Sequence, residues 1–318
     1  MSTPRKISVA PMIDWTDRHC RYFHRLLSQS AELYTEMVVD KAVIHGDAEK
    51  LLDADADKEK VVLQLGGSEP DELAQAVKTG AGFGYTHINL NCGCPSDRVQ
   101  SGTFGAVLMK DAPRVREALI AMREASDAEV SIKCRLGVDD QIVEETLPMF
   151  LEEVEKSGVR KVIMHARKAW LKGLSPKENR DIPPLDYDLA HEMIAAFPNL
   201  DFAINGGIGS IDEADAQIAR GFTSAMIGRA AYQRPFDILA KLDGREFSRD
   251  DIARQVAQYA DAHMQKGGRL HHVTRHIMGL YHGQPSGRLW RQMLSEGASK
   301  PGATAQLIID AIPQDIEK

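Results

Sequence analysis

Polar side chains that could do chemistry recur at one end of short apolar segments along the 318-residue chain. A polar side chain inside a buried strand lowers stability unless it has a hydrogen-bond partner. One such residue could be an ordinary interior group, but six segments that each carry one near the carboxyl end indicate a shared site. These residues are Gln64, Asn89, Asn91, Cys94, Lys133, Arg135, His165, Arg167, Asn205 and Arg229.

Two of these side chains are reactive. Lys133 could form a Schiff base with a carbonyl substrate, or it could hold a cofactor through its charge. Cys94 lies in the sharp loop N-C-G-C-P-S (91–96) and could act as an acid or a nucleophile. The Cys92-x-Cys94 pair could also suggest a metal site. Because no second Cys-x-Cys or His-x-His cluster supplies the remaining ligands, we expect no metal ion.

Two glycine turns follow the last two apolar segments. N-G-G-I-G-S (205–210) leads directly into a helix, and I-G-R-A (227–230) comes after the next segment. Backbone N–H groups at glycines and at a helix N-terminus favour a phosphate, and barrels bind phosphate in the loops after strands 7 and 8. The turns could instead only reverse the chain. A bound phosphate, which we prefer, could belong to a sugar phosphate, pyridoxal phosphate or flavin mononucleotide (FMN).

Eight apolar segments are the elements that must position these groups. They cover residues 6–12, 33–38, 61–67, 87–95, 130–137, 161–167, 201–207 and 224–230. Most are continuously apolar, as in parallel strands covered on both faces. Amphipathic stretches at 71–79, 112–125, 143–157, 186–196 and 211–220 predict intervening helices. This alternation predicts a (β/α)8 TIM barrel; a doubly wound sheet competes, but no G-x-G-x-x-G follows the first segment.

The strand pattern stops near residue 243. Ser248 predicts the N-terminus of a helix that ends at Gly267-Gly268. Further helices are predicted at 272–282, 288–296 and 303–312. We therefore predict two domains, a barrel over residues 1–244 and an all-helical domain over residues 245–318.

Charge is distributed unevenly between these predicted domains. The formal net charge of −7 by itself argues against a nucleic-acid partner. However, residues 245–318 contain 10 basic and 8 acidic side chains, whereas the first 244 residues contain 29 and 38. Besides this basic C-terminal region, a cluster of basic residues follows the sixth predicted strand. It consists of Arg167, Lys168, Lys172, Lys177 and Arg180. Runs of charged residues usually form solvated surface. The negative net charge therefore excludes only indiscriminate binding of nucleic acid over the whole surface.

Composition also bears on the compartment. No apolar run approaches the ~18–20 residues of a membrane-spanning helix, and the start of the chain has no apolar stretch typical of a signal peptide. Four cysteines do not make a disulfide framework in a chain of this length. We expect a cytoplasmic protein, with Cys20, Cys92 and Cys134 as core thiols.

Five motifs in order along the chain carry a family resemblance. They are A-P-M-I-D-W-T-D-R-H-C-R (10–21), L-Q-L-G-G (63–67), L-N-C-G-C-P-S-D-R-V-Q-S-G (90–102), I-K-C-R-L-G (132–137) and I-N-G-G-I (204–208). Together they resemble tRNA-dihydrouridine synthases over essentially the whole chain. W-T-D-R-H-C-R (15–21) and N-R-D-I-P-P-L (179–185) are similar to the A-type subfamily.

The resemblance implies an FMN-dependent, NADPH-consuming enzyme that reduces the 5,6 double bond of D-loop uridines in tRNA to dihydrouridine. The A-type subfamily implies tRNA positions 20 and 20a. NADPH would reduce the flavin, which would pass a hydride to uracil C6 while the catalytic Cys94 protonates C5. A thiol holds its proton at neutral pH, which suits an acid. Residue 92, often aliphatic in relatives, is here a second cysteine.

Further residue roles follow from the resemblance alone. The flavin ring would be lined by Pro11, Met12 and Ile13 and hydrogen-bonded by Gln64, Lys133 and His165, which removes the need for a Schiff base. The phosphate would be held by Asn205, Gly206, Gly207, Gly228 and Arg229. The tRNA would be contacted by Asn91, Lys177, Arg180, Arg288 and Arg291.

Two competing functions remain. An FMN-dependent barrel could reduce a small enone or pyrimidine, although such a substrate needs no basic helical domain. A non-catalytic RNA-binding protein could use a barrel scaffold, although Cys94, Lys133, His165 and both glycine turns are intact. We expect the chain to act on tRNA as a monomer.

Overall fold

Nine parallel strands form the sheet in the computed structural model, which describes residues 6–52, 58–96, 104–246 and 248–313. The strands are β1 (Ile7–Val9), β2 (Glu32–Tyr34), β3 (Val38–Val39), β4 (Val61–Gly66), β5 (His87–Cys92), β6 (Glu129–Arg135), β7 (Lys161–His165), β8 (Asp201–Asn205) and β9 (Ser224–Ile227). Pairing of β1 with β9 and of β2 with β4 closes the sheet into an eight-membered ring. The predicted TIM barrel is confirmed.

The second predicted segment is interrupted in the structure. Its two parts, β2 and β3, pair successively along β4, through Leu33 with Val61 and Val38 with Leu65. Between them the Thr35 hydroxyl accepts the N–H of Gln64 at 3.0 Å, a bond that a regular ladder would give to a backbone carbonyl. The extra strand is therefore a break within one barrel position.

Helices cover the outside of the barrel. They are α2 (Asp40–His45), α3 (Ala48–Leu52), α4 (Pro70–Gly82), α5 (Ala112–Glu124), α6 (Val143–Lys156), α7 (Tyr187–Ala196) and α8 (Ile211–Ala219), following α1 (Arg18–Leu27). Short 3-10 turns lie at Lys58–Lys60, Gly105–Lys110 and Glu178–Arg180. The helices predicted from the amphipathic stretches are confirmed to within a few residues. Gly80 of α4 lies so close to the outer face of β4 that a Cβ there would be 2.6 Å from Leu63.

The barrel interior is apolar at its centre. Ala10, Tyr34, Val62, Ile163, Ala203 and Met226 form a buried cluster on which Met12 packs. These residues come from six positions around the ring, so that alternate residues of each strand point inward and the others point to the helices. The polar side chains described below share the inward-facing positions with this cluster.

The chain divides into two compact units whose limits differ from the predicted boundary. Unit 1 contains residues Met1–Ile13 and Glu32–Gly228, and unit 2 contains Asp14–Ala31 and Arg229–Lys318. Within unit 2, the Asp243 carboxylate accepts the Ser28 hydroxyl at 2.9 Å, and Trp15 stacks on Tyr232 with ring centroids 4.4 Å apart. Such long-range contacts assign residues 14–31 to the helical unit. The division of function between two domains stays a prediction.

Unit 2 is helical. After α1 come α9 (Arg229–Gln233), α10 (Pro235–Leu239), α11 (Arg249–Gln265), α12 (Leu270–Thr274), α13 (Gly287–Gly297) and α14 (Gln306–Asp310). Ser248 caps α11 as predicted, its hydroxyl accepting the N–H of Asp251. None of the helices in the described part of the chain is long and apolar enough to cross a membrane.

The prediction of a helix over residues 272–282 was wrong. That stretch is helical only to Thr274 and continues as a series of tight turns. Two backbone carbonyls of this stretch accept hydrogen bonds from side chains distant in sequence. Trp290 Nε1 donates to Ile277 O at 2.9 Å, and Arg249 Nε donates to Leu280 O at 3.0 Å. The Ile277 carbonyl also accepts the N–H of Leu280 at 3.0 Å, so tertiary hydrogen bonds are combined here with tight turns instead of a continuous helix.

Candidate active site

The Cys94 thiol is held at the carboxyl end of β5 by Asn91. The Asn91 side-chain oxygen accepts the N–H groups of Gly93 and Cys94 at 3.1 and 3.0 Å. The Cys94 carbonyl in turn accepts the N–H of Ala106 at 2.9 Å. The sulfur is half-buried and lies 3.5 Å from the Ser96 hydroxyl. The loop is therefore fixed on both sides of the thiol, although residues 97–102 of its sequence motif lie outside the described residues.

A chain of hydrogen-bonded amides connects this loop to the barrel interior. The Asn91 side-chain nitrogen donates to Gln64 Oε1 at 2.9 Å, and Gln64 Nε2 donates to Asn89 Oδ1 at 2.8 Å. Asn89 Nδ2 then donates to the Ser131 hydroxyl at 2.8 Å. The same hydroxyl also contacts His87 Nε2. All of these side chains are buried. Each amide is thereby fixed in orientation by its neighbours.

The network ends at a partly exposed ion pair at the amino ends of the barrel strands. His87 Nδ1 lies 3.3 Å from the Glu32 carboxylate, and Lys161 Nζ lies 2.7 Å from it. The His87 and Lys161 contacts hold the pKa of Glu32 at about 2 despite the burial that opposes this shift. The interior polar residues therefore have partners supplied by the chain itself.

Lys133 and His165 differ from these residues. Lys133 is opposite Asn91 in the β5–β6 ladder, and His165 is opposite Asn205 in the β7–β8 ladder. Neither side chain makes a hydrogen bond or an ion pair with a described residue. Burial, with the nearby charge of Arg135, lowers the pKa of Lys133 to about 8 and that of His165 well below its usual value. A cation and a neutral imidazole are thus available to a ligand at neutral pH.

Arg135 joins the thiol loop to the loop after β7. Its Nε donates to Gly93 O at 3.1 Å, and its Nη1 donates to Asn179 O at 2.8 Å and Lys168 O at 3.2 Å. Burial lowers the pKa of Arg135 to about 10, so that it remains charged at neutral pH. The sequence marked Arg135 as polar but assigned it no role, because the acceptors are backbone carbonyls remote in sequence.

Asn179 organises the loop after β7. Its side chain is fully buried, accepts the N–H of Trp170 at 2.7 Å and donates to the carbonyls of Trp170 and Leu174 at 2.8 and 3.1 Å. The guanidinium of Arg167 donates to the carbonyl of Pro183 in the same loop. Sequence reasoning missed both roles: it singled out Arg167 only as a polar and basic residue, and Asn179 only as part of the N-R-D-I-P-P-L motif.

The glycine turn after β8 requires glycine for two reasons. Gly206 and Gly207 have φ angles of 108° and 71°, which other residues rarely adopt. In addition, a Cβ on Gly206 would lie 2.6 Å from the His165 ring, and one on Gly207 would lie 2.4 Å from Leu185. The Asn205 amide donates to Met226 O at 2.8 Å and ties this turn to β9. The backbone is therefore placed beside His165.

The N-terminus of α8 is already capped by its own residues. The Ser210 hydroxyl accepts the N–H of Glu213 at 3.1 Å, and the Glu213 carboxylate accepts the N–H of Gly209 at 2.7 Å. The sequence suggested that this helix start would favour a phosphate. The Glu213 carboxylate instead accepts one of the N–H groups at this helix start, and phosphate binding by the glycine turns stays a prediction.

The end of β1 lies beside the turn after β9. The N–H of Ala10 donates to Ile227 O at 2.9 Å, and a Cβ on Gly228 would be 3.8 Å from the Met12 sulfur. Pro11 is half-buried, and Ile13 has 52% of its surface exposed. These apolar side chains are accessible to a planar ligand at the end of the barrel. Arg229, the first residue of unit 2, follows Gly228 along the chain and begins α9.

A model of the family described as dihydrouridine synthase (Dus) matches residues 8–317. The chain belongs to this family. A tRNA-dihydrouridine(20/20a) synthase of Xanthomonas campestris pv. campestris is 50% identical, covering 96% of this chain and 92% of the relative. Proteins of the same name from Vibrio parahaemolyticus and Escherichia coli K12 are each 47% identical over 96% of this chain, covering 96% and 90% of their own lengths. The family predicted from the motifs is confirmed.

In this dihydrouridine synthase, most predicted ligand-binding residues lie at or near the carboxyl ends of the barrel strands. They are Pro11, Met12, Ile13, Gln64, Asn91, Cys94, Lys133, His165, Asn205, Gly206, Gly207 and Gly228. Their individual roles stay predictions. Asn91, predicted to contact tRNA, is buried and already bonded to Gln64, Gly93 and Cys94.

The other predicted tRNA contacts lie in two separate places. Lys177 and Arg180 are exposed at the 3-10 turn of the loop after β7 in unit 1. Arg288 and Arg291 are exposed on α13 in unit 2, where a spacing of three residues puts them on one face. Trp290 between them is buried, so α13 presents its basic face to solvent.

The remaining cysteines of the dihydrouridine synthase are core thiols, as predicted. Cys20, Cys92 and Cys134 are buried, and none of them forms a disulfide in the described part of the chain. Burial raises the pKa of Cys92 well above its usual value and that of Cys134 to about 12. Cys94 is the cysteine with partial access to solvent.

Proposed function

We propose that this chain is a tRNA-dihydrouridine(20/20a) synthase that reduces the 5,6 double bond of D-loop uridines with FMN and NADPH. One observation carries the proposal: in a chain of this family, the Cys94 thiol is fixed at the end of β5 while the adjacent Lys133 and His165 lack partners among the described residues. We propose Cys94 as the acid that protonates uracil C5.

The residues present fit FMN. Lys133 supplies a cation, and His165 supplies a neutral imidazole beside the backbone of Gly206. Gln64 can also bind the flavin, because its amide keeps a second hydrogen and its carbonyl a second lone pair beyond those used by Asn89 and Asn91. Pro11, Met12 and Ile13 offer apolar surface for the ring, and Asn205, Gly206, Gly207, Gly228 and Arg229 are the proposed phosphate site.

When bound, FMN would supply the hydride for uracil C6, with NADPH as the reductant. The chain's own residues would bind the ligand and position the proton donor. The charge of Lys133 favours an anionic group beside it. The Asn91 side chain holds the two N–H groups that set the position of Cys94, so that the thiol proton is delivered from a fixed place. The thiolate left behind regains its proton from solvent, to which Cys94 is partly open.

The tRNA substrate requires a base to leave the folded tRNA. Extrusion costs a few kcal/mol and is easiest for a poorly stacked loop base, which favours uridines of the D-loop. Lys177, Arg180, Arg288 and Arg291 are exposed and can neutralise phosphates, each contact adding salt sensitivity. Asn91 is the proposed contact to the base itself. A monomeric state and a cytoplasmic location stay predictions.

The test is a reaction of the purified chain with unmodified tRNA and NADPH, followed by mapping of dihydrouridine along the tRNA. We expect a yellow protein with flavin absorbance and dihydrouridine at positions 20 and 20a. Product at other positions would revise the assignment of the site in tRNA. Turnover of a small enone or pyrimidine without activity on tRNA would contradict the proposed substrate, and a flavin-free inactive protein that binds tRNA would contradict the proposed reaction.

A further inference from the structure

Three histidines that are distant in sequence converge within unit 2. They are His19 near the start of α1, His263 in the last turn of α11 and His272 in α12. One ring nitrogen of each lies within 4.8 Å of the corresponding nitrogens of the other two. We propose that His19, His263 and His272 form a binding site for a divalent transition-metal ion of the zinc type.

The separation of the ligand atoms suits a tetrahedral ion. Zinc binds imidazole nitrogen at ~2.0–2.1 Å, which places two nitrogens of a tetrahedral site about 3.3 Å apart. His263 Nε2 and His272 Nδ1 are 3.3 Å apart. The His19 nitrogen lies within 4.8 Å of the other two, so a shift of at most roughly 1.5 Å would bring it to the tetrahedral spacing. Two of the three ligands are therefore already at the required spacing.

Gly268 leaves space for the His263 ring. A Cβ on Gly268 would lie 2.0 Å from His263 Nε2, so only glycine permits the ring to occupy this place. The carbonyl of His263 accepts the N–H groups of Lys266 and Gly268 at 3.2 and 3.0 Å. The turn after α11 is thus wrapped around the histidine and keeps its nitrogen directed at His272.

His19 has the outer support that is typical of a metal ligand. Its Nδ1 lies 2.8 Å from the Tyr259 hydroxyl, and Tyr259 stacks on Tyr22 with ring centroids 3.9 Å apart. A metal-bound histidine commonly gives its second ring N–H to such an oxygen, which fixes the ring and the tautomer. Burial also lowers the pKa of all three histidines, so that each is neutral, the form that binds metals.

The ligand set identifies the class of ion. Imidazole nitrogens suit zinc, copper and nickel, whereas magnesium and calcium prefer oxygen ligands. Three histidines leave one position of a tetrahedral ion for water. The ion would join residue 19 to residues 263 and 272 and so connect the two sequence segments of unit 2. Close sequence spacing does not reveal this site, because His19 is separated from His263 and His272 by most of the chain.

The experiment uses the full chain without a polyhistidine tag, freed of metal with a chelator. Zn²⁺ is titrated in competition with a coloured indicator, and the metal retained after gel filtration is measured. We expect one equivalent, with affinity lowered at least tenfold by His263→Gln and by His272→Gln. The control is His271→Gln, since His271 packs beside His272 but lies outside the group of three nitrogens.

Three results would overturn the proposal: no saturable one-to-one binding, unchanged affinity in both variants, or an equal loss in His271→Gln. Circular dichroism of each metal-free variant checks that it folds. Thermal unfolding is a second measurement: Zn²⁺ should raise the melting temperature of the wild type and of His271→Gln but not of His263→Gln. Flavin content and dihydrouridine formation are recorded separately, because the metal site and the proposed function can fail independently.

Discussion

Polar residues that point into the barrel fall into two groups. Gln64, Asn89 and Asn91 are bonded to one another and, through Ser131, to His87. Lys133 and His165 occupy comparable inward-facing positions but have no hydrogen-bond partner among the described residues. We expect the first group to stabilise the free protein and to position the thiol loop. We expect the second group, which is only partly buried, to lower the stability of the free protein and to find its partners in a bound ligand. Substitutions should therefore have opposite effects on stability in the two groups.

The largest effect is expected at the thiol itself. Replacing Cys94 by Ala should leave FMN bound but lower dihydrouridine formation by ~10²–10⁴-fold, because a general acid contributes that much. The matched control is Cys92→Ala, two residues away but buried behind the strand. Product is measured by mass spectrometry of digested tRNA. Near-normal turnover of Cys94→Ala would disprove the acid role.

The next effect is expected at Lys133. Lys133→Met should lower FMN affinity by about ten- to hundredfold, since it removes a charge-assisted hydrogen bond. Without FMN, the free energy of unfolding of this variant should be ~1 kcal/mol higher than that of the wild type. The reason is that burial in the wild type disfavours the charged amine of Lys133. Flavin fluorescence and urea unfolding measure the two quantities. A destabilised flavin-free variant would place Lys133 in the first group.

Asn91 tests the first group. Asn91→Ala leaves the N–H groups of Gly93 and Cys94 and the Gln64 carbonyl without this partner. We expect stability to fall by ~1–3 kcal/mol and turnover to fall about tenfold, with FMN still bound. The exposed Asn199→Ala is the control. Unchanged stability of Asn91→Ala would show that the network does not hold the loop.

The pH dependence of FMN binding gives a further comparison. In the free protein Lys133 has a pKa of about 8, lowered by burial. Because the bound flavin favours the charged amine, affinity should be greatest below pH 8 and should fall by about tenfold between pH 7 and 9. Fluorescence titration at several pH values measures it. If the charge of Lys133 is responsible, the FMN affinity of Lys133→Met should not depend on pH in this range. If the affinity of the variant still falls with pH, another group causes the dependence.

The smallest effect is expected in unit 2. Replacing Arg288 and Arg291 by Ala should weaken tRNA binding several-fold and reduce its salt dependence by roughly 0.7–0.9 per lost phosphate contact. The control replaces the exposed Arg254 and Lys241. Filter binding at several salt concentrations distinguishes them. Equal slopes for the two double variants would remove α13 from the tRNA-binding surface.

Local patterns predicted the fold better than they predicted the contacts between distant residues. The eight apolar segments and the helix at Ser248 depend on nearby residues, and the structure contains them. The helix expected at 272–282 ends at Thr274, and beyond it Trp290 and Arg249 donate to the carbonyls of Ile277 and Leu280. The grouping of residues 14–31 with unit 2 likewise depends on partners more than 200 residues away.

The site shows the same limit at the level of single residues. The motifs identified Cys94, Lys133 and Asn91, but burial decides what they can do. Asn91 is bonded on both sides of its amide, whereas Lys133 is not, and nothing in their spacing distinguishes them. Arg135 and Asn179 act through backbone carbonyls, whose positions depend on the tertiary fold.

Arg135 has a consequence for how these loops can change over evolution. Its three acceptors are the backbone carbonyls of Gly93, Lys168 and Asn179. Every amino acid offers the same carbonyl, so drift in the side chains at 93 and 168 does not by itself remove an acceptor. Insertions or deletions that move these carbonyls would remove one. We expect natural variants to vary loop composition here more freely than loop length.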